Sequence, residues 1–378
     1  MSFQFSRIVF WEPTISPHKT YFINSLAKLL SEVEIVYCSD RDLDADRKRL
    51  GWSTQNDSID FEVIINPAPE KIEKLVAHGD PSTLHVFSGI RWVPTIVKGL
   101  DLVRKFDAPF GIMSEPRDDQ GMAGFLRVIQ SWCTEGWLRR KARFVLAIGD
   151  HGSIWFSKVG YPKDKIYPFA YFVPAPNCAK KFKRSSTFRI GFVGRVVKEK
   201  GVFELVKAIE MLGNKYSLDV VGGGNDEDEL FHYCEKNNIS CDFKSVVPIE
   251  EIGNFISNFD VLVLPALTKD DGWGVVVSEA LMVGVPVIVS KMAGSSLVFN
   301  SPLFGCKVAP EAACIAKAIR YISNSDANRG DKREQRKNTA ISLLSDKAGA
   351  SYFVEIVRSI ESGGQIKSPF YALTRGKG

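Results

Sequence analysis

Residues 260–290, DVLVLPALTKDDGWGVVVSEALMVGVPVIVS, place acids and glycines between two apolar runs. The run Val261–Pro265 ends in a loop with Asp271, Gly272 and Gly274. A helix-like segment follows with Glu279 inside it, and Val285–Val289 closes the unit. Carboxylates can accept hydroxyl protons and backbone N–H groups can donate to sugar oxygens, so this unit suits a polyhydroxylated ligand. A second cluster, IGFVGRVVKEKGVFELVKAI at 190–209, sets Gly194 and Arg195 at a strand end and Lys200 and Gly201 before a helix. An arginine there can fork onto a phosphate, and a lysine adds a point charge to it. The third, LDVVGGGNDEDELFHYC at 218–234, carries Gly222, Gly223 and Gly224 after a strand, where backbone can approach a ligand closely. It is not G-x-G-x-x-G, so it does not point to a dinucleotide. Each cluster also has a plainer reading: solvated loop cations, a left-handed turn, a surface helix acid. The flanks Val275–Val277 and Ala280–Met282 argue against the last, because a carboxylate among apolar neighbours needs a partner.

The first half offers fewer such groups. Ser16 and Pro17 suit a helix start, and His18 then sits in the first helical turn. Phe22, Leu26, Leu29 and Leu30 follow on one face, as core. FSGIRWVP at 87–94 and IMSEPRDDQG at 112–121 lie at strand ends. They bring Arg91, Trp92, Glu115 and Arg117 as contacts for a second ligand, or as salt-bridged loop residues. His151 begins another helix. The five histidines are scattered, so no metal site is expected.

These residues need a scaffold. Short apolar strands alternate with helical patterns along the whole chain, which predicts α/β architecture with parallel sheets. Strands are expected at Arg7–Trp11, Val33–Tyr37, Phe61–Ile65, Thr83–Phe87, Phe110–Met113 and Phe144–Ile148. A second series follows at 188–194, Ser217–Val221, Cys241–Val246, Val261–Leu264 and Val285–Val289. With 378 residues the chain exceeds one ordinary core. Residues 171–187 read as a linker between an N-terminal Rossmann-like domain, 1–170, and a C-terminal one, 188–345. The helix and tail at 346–378 are expected to return to the first domain. Such a pair would hold two substrates across a cleft.

Composition limits the setting. The net charge of +5 and 45% hydrophobic content fit a globular protein. Seven scattered cysteines without a CxxC pair favour free thiols over a disulfide framework. The N-terminus lacks a signal-peptide pattern, and no apolar run nears the roughly 20 residues that span a bilayer. The expected location is the cytoplasm, with at most peripheral attachment to a membrane and no nucleic-acid partner.

The order GRVVKEKG, VVGGG, DDGWGVVVSEALMVGVPVIVS resembles the retaining glycosyltransferases of family 4, which have the GT-B fold. The match is best over 188–300. The resemblance implies that Arg195 and Lys200 bind a donor diphosphate and stabilise the leaving group. It assigns the ribose hydroxyls to Glu279 and the donor sugar to Asp271. Gly194, Gly223, Gly224, Gly272, Trp273, Gly274 and Val275 would line the donor, with Val246 and Val247 against its base. Asp271 replaces the family's first Glu, an arm shorter by about 1.5 Å, and Asp270 is a neighbouring carboxylate. Glu115 stands near a position where many members carry a His, and would orient the acceptor hydroxyl or balance oxocarbenium charge. His18, Arg91, Arg117 and His151 would face the acceptor.

The implied reaction is retaining transfer from a nucleoside-diphosphate sugar, by front-face attack, without cofactor or metal. The expected acceptor is a glycan or polyprenyl-diphosphate-linked oligosaccharide of bacterial surface polysaccharide. Lys28, Arg47, Lys48, Arg49, Trp52, Trp132, Trp137, Arg139, Arg140 and Lys141 could meet an anionic membrane, with 132–144 the foremost candidate. The rivals are a sugar-nucleotide epimerase on the same fold and a non-catalytic sugar-nucleotide-binding protein. The epimerases lack the Gly-Arg…Lys-Gly plus Asp/Glu signature.

Overall fold

A computed structural model describes residues 3–43, 59–76, 79–178, 187–269, 272–364 and 368–372. Asp270, Asp271, Arg47, Lys48, Arg49 and Trp52 lie outside the described residues.

The chain divides into two compact units, one of 1–45, 54–172 and 346–378, the other mainly 173–345. The first holds β1 (Arg7–Glu12), β2 (Glu34–Ser39), β3 (Glu62–Ile65), β4 (Thr83–Ser88), β5 (Phe110–Ser114), β6 (Val145–Ile148) and β7 (Ile166–Phe169). They form one parallel sheet in the order β3-β2-β1-β4-β5-β6-β7. Its helices are α1 (Pro17–Leu29), α2 (Pro69–Val76), α3 (Pro94–Phe106), α4 (Gly121–Thr134), α5 (Gly136–Lys141) and α6 (Asp150–Lys158).

The second unit holds β8 (Phe188–Val193), β9 (Tyr216–Val221), β10 (Cys241–Lys244), β11 (Val261–Leu264), β12 (Val287–Ser290) and β13 (Gly305–Val308). This sheet is also parallel, ordered β10-β9-β8-β11-β12-β13. Between and after its strands run α7 (Val202–Glu210), α8 (Glu227–Lys236), α9 (Ile252–Ile256), α10 (Val275–Met282), α11 (Ala312–Asn324) and α12 (Gly330–Leu344). The last helix, α13 (Asp346–Glu361), belongs to the first unit, as expected.

Central strands are buried on both faces, which explains their continuous apolar runs: β6 and β11 show only buried residues. Two edge strands, β7 and β13, are absent from the sequence expectation. β7 is IYPF, and only an edge tolerates the missing N–H of Pro168. All seven cysteines are free, with Cys133 and Cys314 exposed. Among the described residues no helix is long and apolar enough to cross a membrane.

Candidate active site

In an open parallel sheet the ligand edge lies beyond the carboxyl ends of the strands, where strand order reverses. In the second unit this point falls between β8 and β11. The loop after β8 starts with Gly194 at φ +149° and carries Arg195, exposed, and Lys200, half-buried. Gly201, at φ +74°, closes it against β11: a Cβ there would meet the carbonyl oxygen of Pro265 at 2.0 Å. The Leu267 N–H donates to the carbonyl of Glu199 at 2.9 Å, so the loops of β8 and β11 are tied where the sheet reverses.

The glycine triplet after β9 locks onto the same loop. A Cβ on Gly222 would meet the Gly194 carbonyl oxygen at 2.2 Å, and one on Gly224 the Val196 carbonyl oxygen at 2.3 Å. The Val196 N–H donates to the Gly223 carbonyl at 3.0 Å, and the Lys198 N–H to Asp226 Oδ2 at 2.8 Å. Gly222 and Gly224 are therefore required by backbone packing between two loops, whatever a ligand adds. Val246 and Val247, half-buried, follow β10, whose Lys244 carbonyl accepts from the Gly222 N–H at 3.0 Å.

The turn before α10 hangs on Trp273, 1% exposed. Its indole Nε1–H donates to Ser278 Oγ at 2.9 Å, and its carbonyl accepts from the Ser295 N–H at 2.8 Å. The side chain is thus an anchor in the core, which fixes the turn whose backbone amides were expected to approach the donor. Gly274, at φ +79°, is the N-cap of α10, and no side chain caps that helix. The amides that begin at Val275 carry the dipole's positive end, which suits an anion. Glu279 lies one turn further, half-buried, with no side-chain hydrogen bond or ion pair among the described residues. Removal from water pushes its carboxyl up to about 7.

The first unit's sheet reverses between β1 and β4, and a buried polar network occupies that point. Glu12, 2% exposed, ends β1; Lys19, 7% exposed, lies on α1; Ser88 ends β4. Lys19 Nζ donates to Ser88 Oγ at 2.9 Å and lies 3.5 Å from Glu12 Oε1; Ser88 Oγ–H donates to Glu12 Oε1 at 2.5 Å. Burial pushes the Glu12 carboxyl up and the Lys19 ammonium down, each opposed by the other's charge. Lys19 also sits 5.4 Å from the ring centroid of Tyr171, whose hydroxyl donates to Glu115 Oε1 at 2.6 Å. The His18 ring stacks on Tyr171 at 6.3 Å. His18 and Glu115 are thereby brought together through Tyr171.

Sequence reasoning missed Glu12, Lys19, Ser88 and Tyr171. One signal was present: Lys19 stands three and seven residues before Phe22 and Leu26, on the apolar face of its helix.

Arg91 and Arg117 are engaged within the fold instead. Arg91 Nη1 donates to Glu135 Oε1 at 2.6 Å, and that buried carboxylate also accepts from the Tyr161 hydroxyl at 2.9 Å. Arg117 donates to Ser131 Oγ at 3.2 Å and Gln130 Oε1 at 2.9 Å, and stands 6.0 Å from the Trp155 ring. His151 is the second residue of α6, half-buried.

The family described as glycosyl transferases group 1 matches residues 177–342. The capsular polysaccharide biosynthesis glycosyltransferase CapM of Staphylococcus aureus is 26% identical over 212 residues, 51% of this chain and 50% of CapM. The amylovoran biosynthesis glycosyltransferase AmsK of Erwinia amylovora is 28% identical over 151 residues, 37% of each protein. The chain thus spans half or less of the length of these relatives. Among solved structures, Anabaena Alr3699/HepE in complex with UDP superposes with a TM-score of 0.69 at 16% identity, over 93% of this chain and 100% of that one. The fold is accordingly GT-B, two Rossmann-like α/β units, and residues 177–342 are similar to the glycosyl transferases group 1 family.

Proposed function

We propose that the chain is a glycosyltransferase that moves a sugar, with retention, from a nucleoside-diphosphate sugar to a glycan or lipid-linked oligosaccharide in bacterial surface polysaccharide synthesis. One observation carries the reading. The β8/β11 reversal gathers Arg195, Lys200, an uncapped helix N-terminus and the half-buried Glu279 at one sheet edge. The names of CapM and AmsK support the polysaccharide setting, and the UDP held by HepE supports the donor class.

In this reading Arg195 forks onto the diphosphate and Lys200 adds its charge as the leaving group departs. Stabilisation is then strongest where negative charge develops. The first amides of α10 approach the same anion. Glu279, once deprotonated, accepts from the ribose hydroxyls. Asp271 would hold the donor sugar and Glu115 the acceptor hydroxyl. No protein nucleophile or metal ion takes part: the two cations and the helix N-terminus carry the charge, and a donor phosphate oxygen helps take the acceptor proton.

A thermal-shift screen against nucleotide sugars tests the donor. Ligand at 100 times its Kd stabilises by about 2.7 kcal/mol. Release of nucleoside diphosphate tests transfer, and proton NMR of the product's anomeric configuration tests retention. Lys200→Ala is expected to abolish turnover while the far-UV circular dichroism stays unchanged. Near-normal turnover in that variant would sink the assignment.

A further inference from the structure

Helix α4 is inside out for a helix on a globular domain. Met122, Phe125, Leu126, Ile129 and Trp132 are 78%, 58%, 60%, 43% and 51% exposed, whereas the residues it buries are only Gly124 and Ser131. The first four stand at i, i+3, i+4 and i+7, one stripe along the helix. Gly124 and Ser131 lie on the opposite face. Gly124 is pressed so close that a Cβ would meet the Asp119 carbonyl carbon at 2.1 Å. Val128 packs against the core from the inner side. The helix is thus seated through Ser131 and Val128, and its apolar stripe is left facing water. So long a row of exposed large side chains marks an interaction surface.

The charge around it selects the partner. Residues 121–143 carry Arg127, Arg139, Arg140, Lys141 and Arg143 against the single acid Glu135. Glu135 is buried and held by Arg91 and Tyr161. Some of the cations are already engaged: Arg127 with Asp118, Lys141 with Asp107, and Arg139 with the carbonyls of Ser131, Trp132 and Val159. Arg140 is exposed with no ion pair among the described residues. Apolar stripe and basic flank together match an interfacial helix on an anionic bilayer.

We infer that the outward face of α4 – Met122, Phe125, Leu126 and Ile129, edged by Trp132 – inserts into the headgroup boundary of an anionic lipid bilayer, with Arg140 meeting the lipid phosphates. The surface lies upstream of the expected 132–144 segment. Within that segment Trp137 is stacked on Phe110 at 4.9 Å and Arg139 is spent on carbonyls. The loop that leads into α4 carries Glu115, so the same loop would meet both lipid and acceptor.

Co-sedimentation of the full chain, under reductant, with phosphatidylcholine vesicles with and without about 30% phosphatidylglycerol tests this. Sedimentation with the anionic vesicles, weakened by salt, is expected. Phe125→Ser combined with Leu126→Ser is expected to weaken it by about tenfold or more, with melting temperature and nucleotide-sugar binding unchanged. Arg140→Glu is expected to reduce only the phosphatidylglycerol-dependent part. The inference is overturned if the wild type binds neither vesicle, or if the double variant binds as well as the wild type. It is also overturned if light scattering shows a dimer that the double variant dissolves and vesicles do not compete. None of these readouts depends on transfer, so the donor reading stands or falls separately.

Discussion

Glu279 is the residue whose chemistry depends most on its surroundings. In water its carboxyl would be charged through the neutral range, yet burial holds it at about 7. The unfolded chain loses this proton near 4.5 and the folded one near 7, so in between the folded state binds more protons. Stability is therefore expected to fall as pH rises through that window, by on the order of 3 kcal/mol. Chemical denaturation at pH 5 and pH 8 checks this, and Glu279→Gln should flatten the difference. Under the proposed function donor binding should run the other way, because a ribose hydroxyl would donate to the Glu279 carboxylate. Below about pH 7 the Kd is expected to rise up to tenfold per pH unit, and calorimetric titration of the Gln variant should show no such slope. Arg195, Lys200 and Glu279 were all readable as types and spacings. The network of Glu12, Lys19 and Ser88 was not, since Ser88 lies 69 residues from Lys19 and 76 from Glu12 and reaches them only because β4 pairs with β1.

At the scale of elements, α12 shows how composition can mislead. Its sequence GDKREQRKNTAISLL reads as a basic, solvated helix. Two of its arginines are instead buried and cap loop carbonyls. Arg336 donates to the carbonyls of Leu303 at 2.6 Å, Gly284 at 2.7 Å and Ala327 at 3.1 Å. Arg333 donates to those of Phe259 and Ser257, each at 3.1 Å. Truncating Arg336 would leave three carbonyls without their donor at a cost of about 1–3 kcal/mol for each that water cannot reach. Arg336→Ala is expected to lower unfolding free energy by about 3 kcal/mol or more, measured by urea denaturation. The central strands were legible because burial on both faces writes itself as an apolar run. The edge strands β7 and β13, IYPF and GCKV, were not, because a proline interrupts one apolar run and an exposed lysine the other.

For the whole molecule the decisive element is α13, which follows the second unit in sequence and packs into the first. Phe353 is fully buried there, with ring centroids 5.9 Å from Phe10, 6.0 Å from Phe22 and 6.0 Å from Phe144. Phe353→Ala is expected to cost about 3–5 kcal/mol, and calorimetry should show the loss in the transition of the first unit. The succession of strands along the chain, the glycine loops and the cations after β8 were set by local sequence, because period, turn chemistry and charge are properties of short segments. Packing alone decided which glycines lock backbone to backbone, which arginines are spent inside the fold, and which helix turns its apolar face outward. Those outcomes depend on what lies against each residue in space, and a residue's neighbours in the chain carry no record of that.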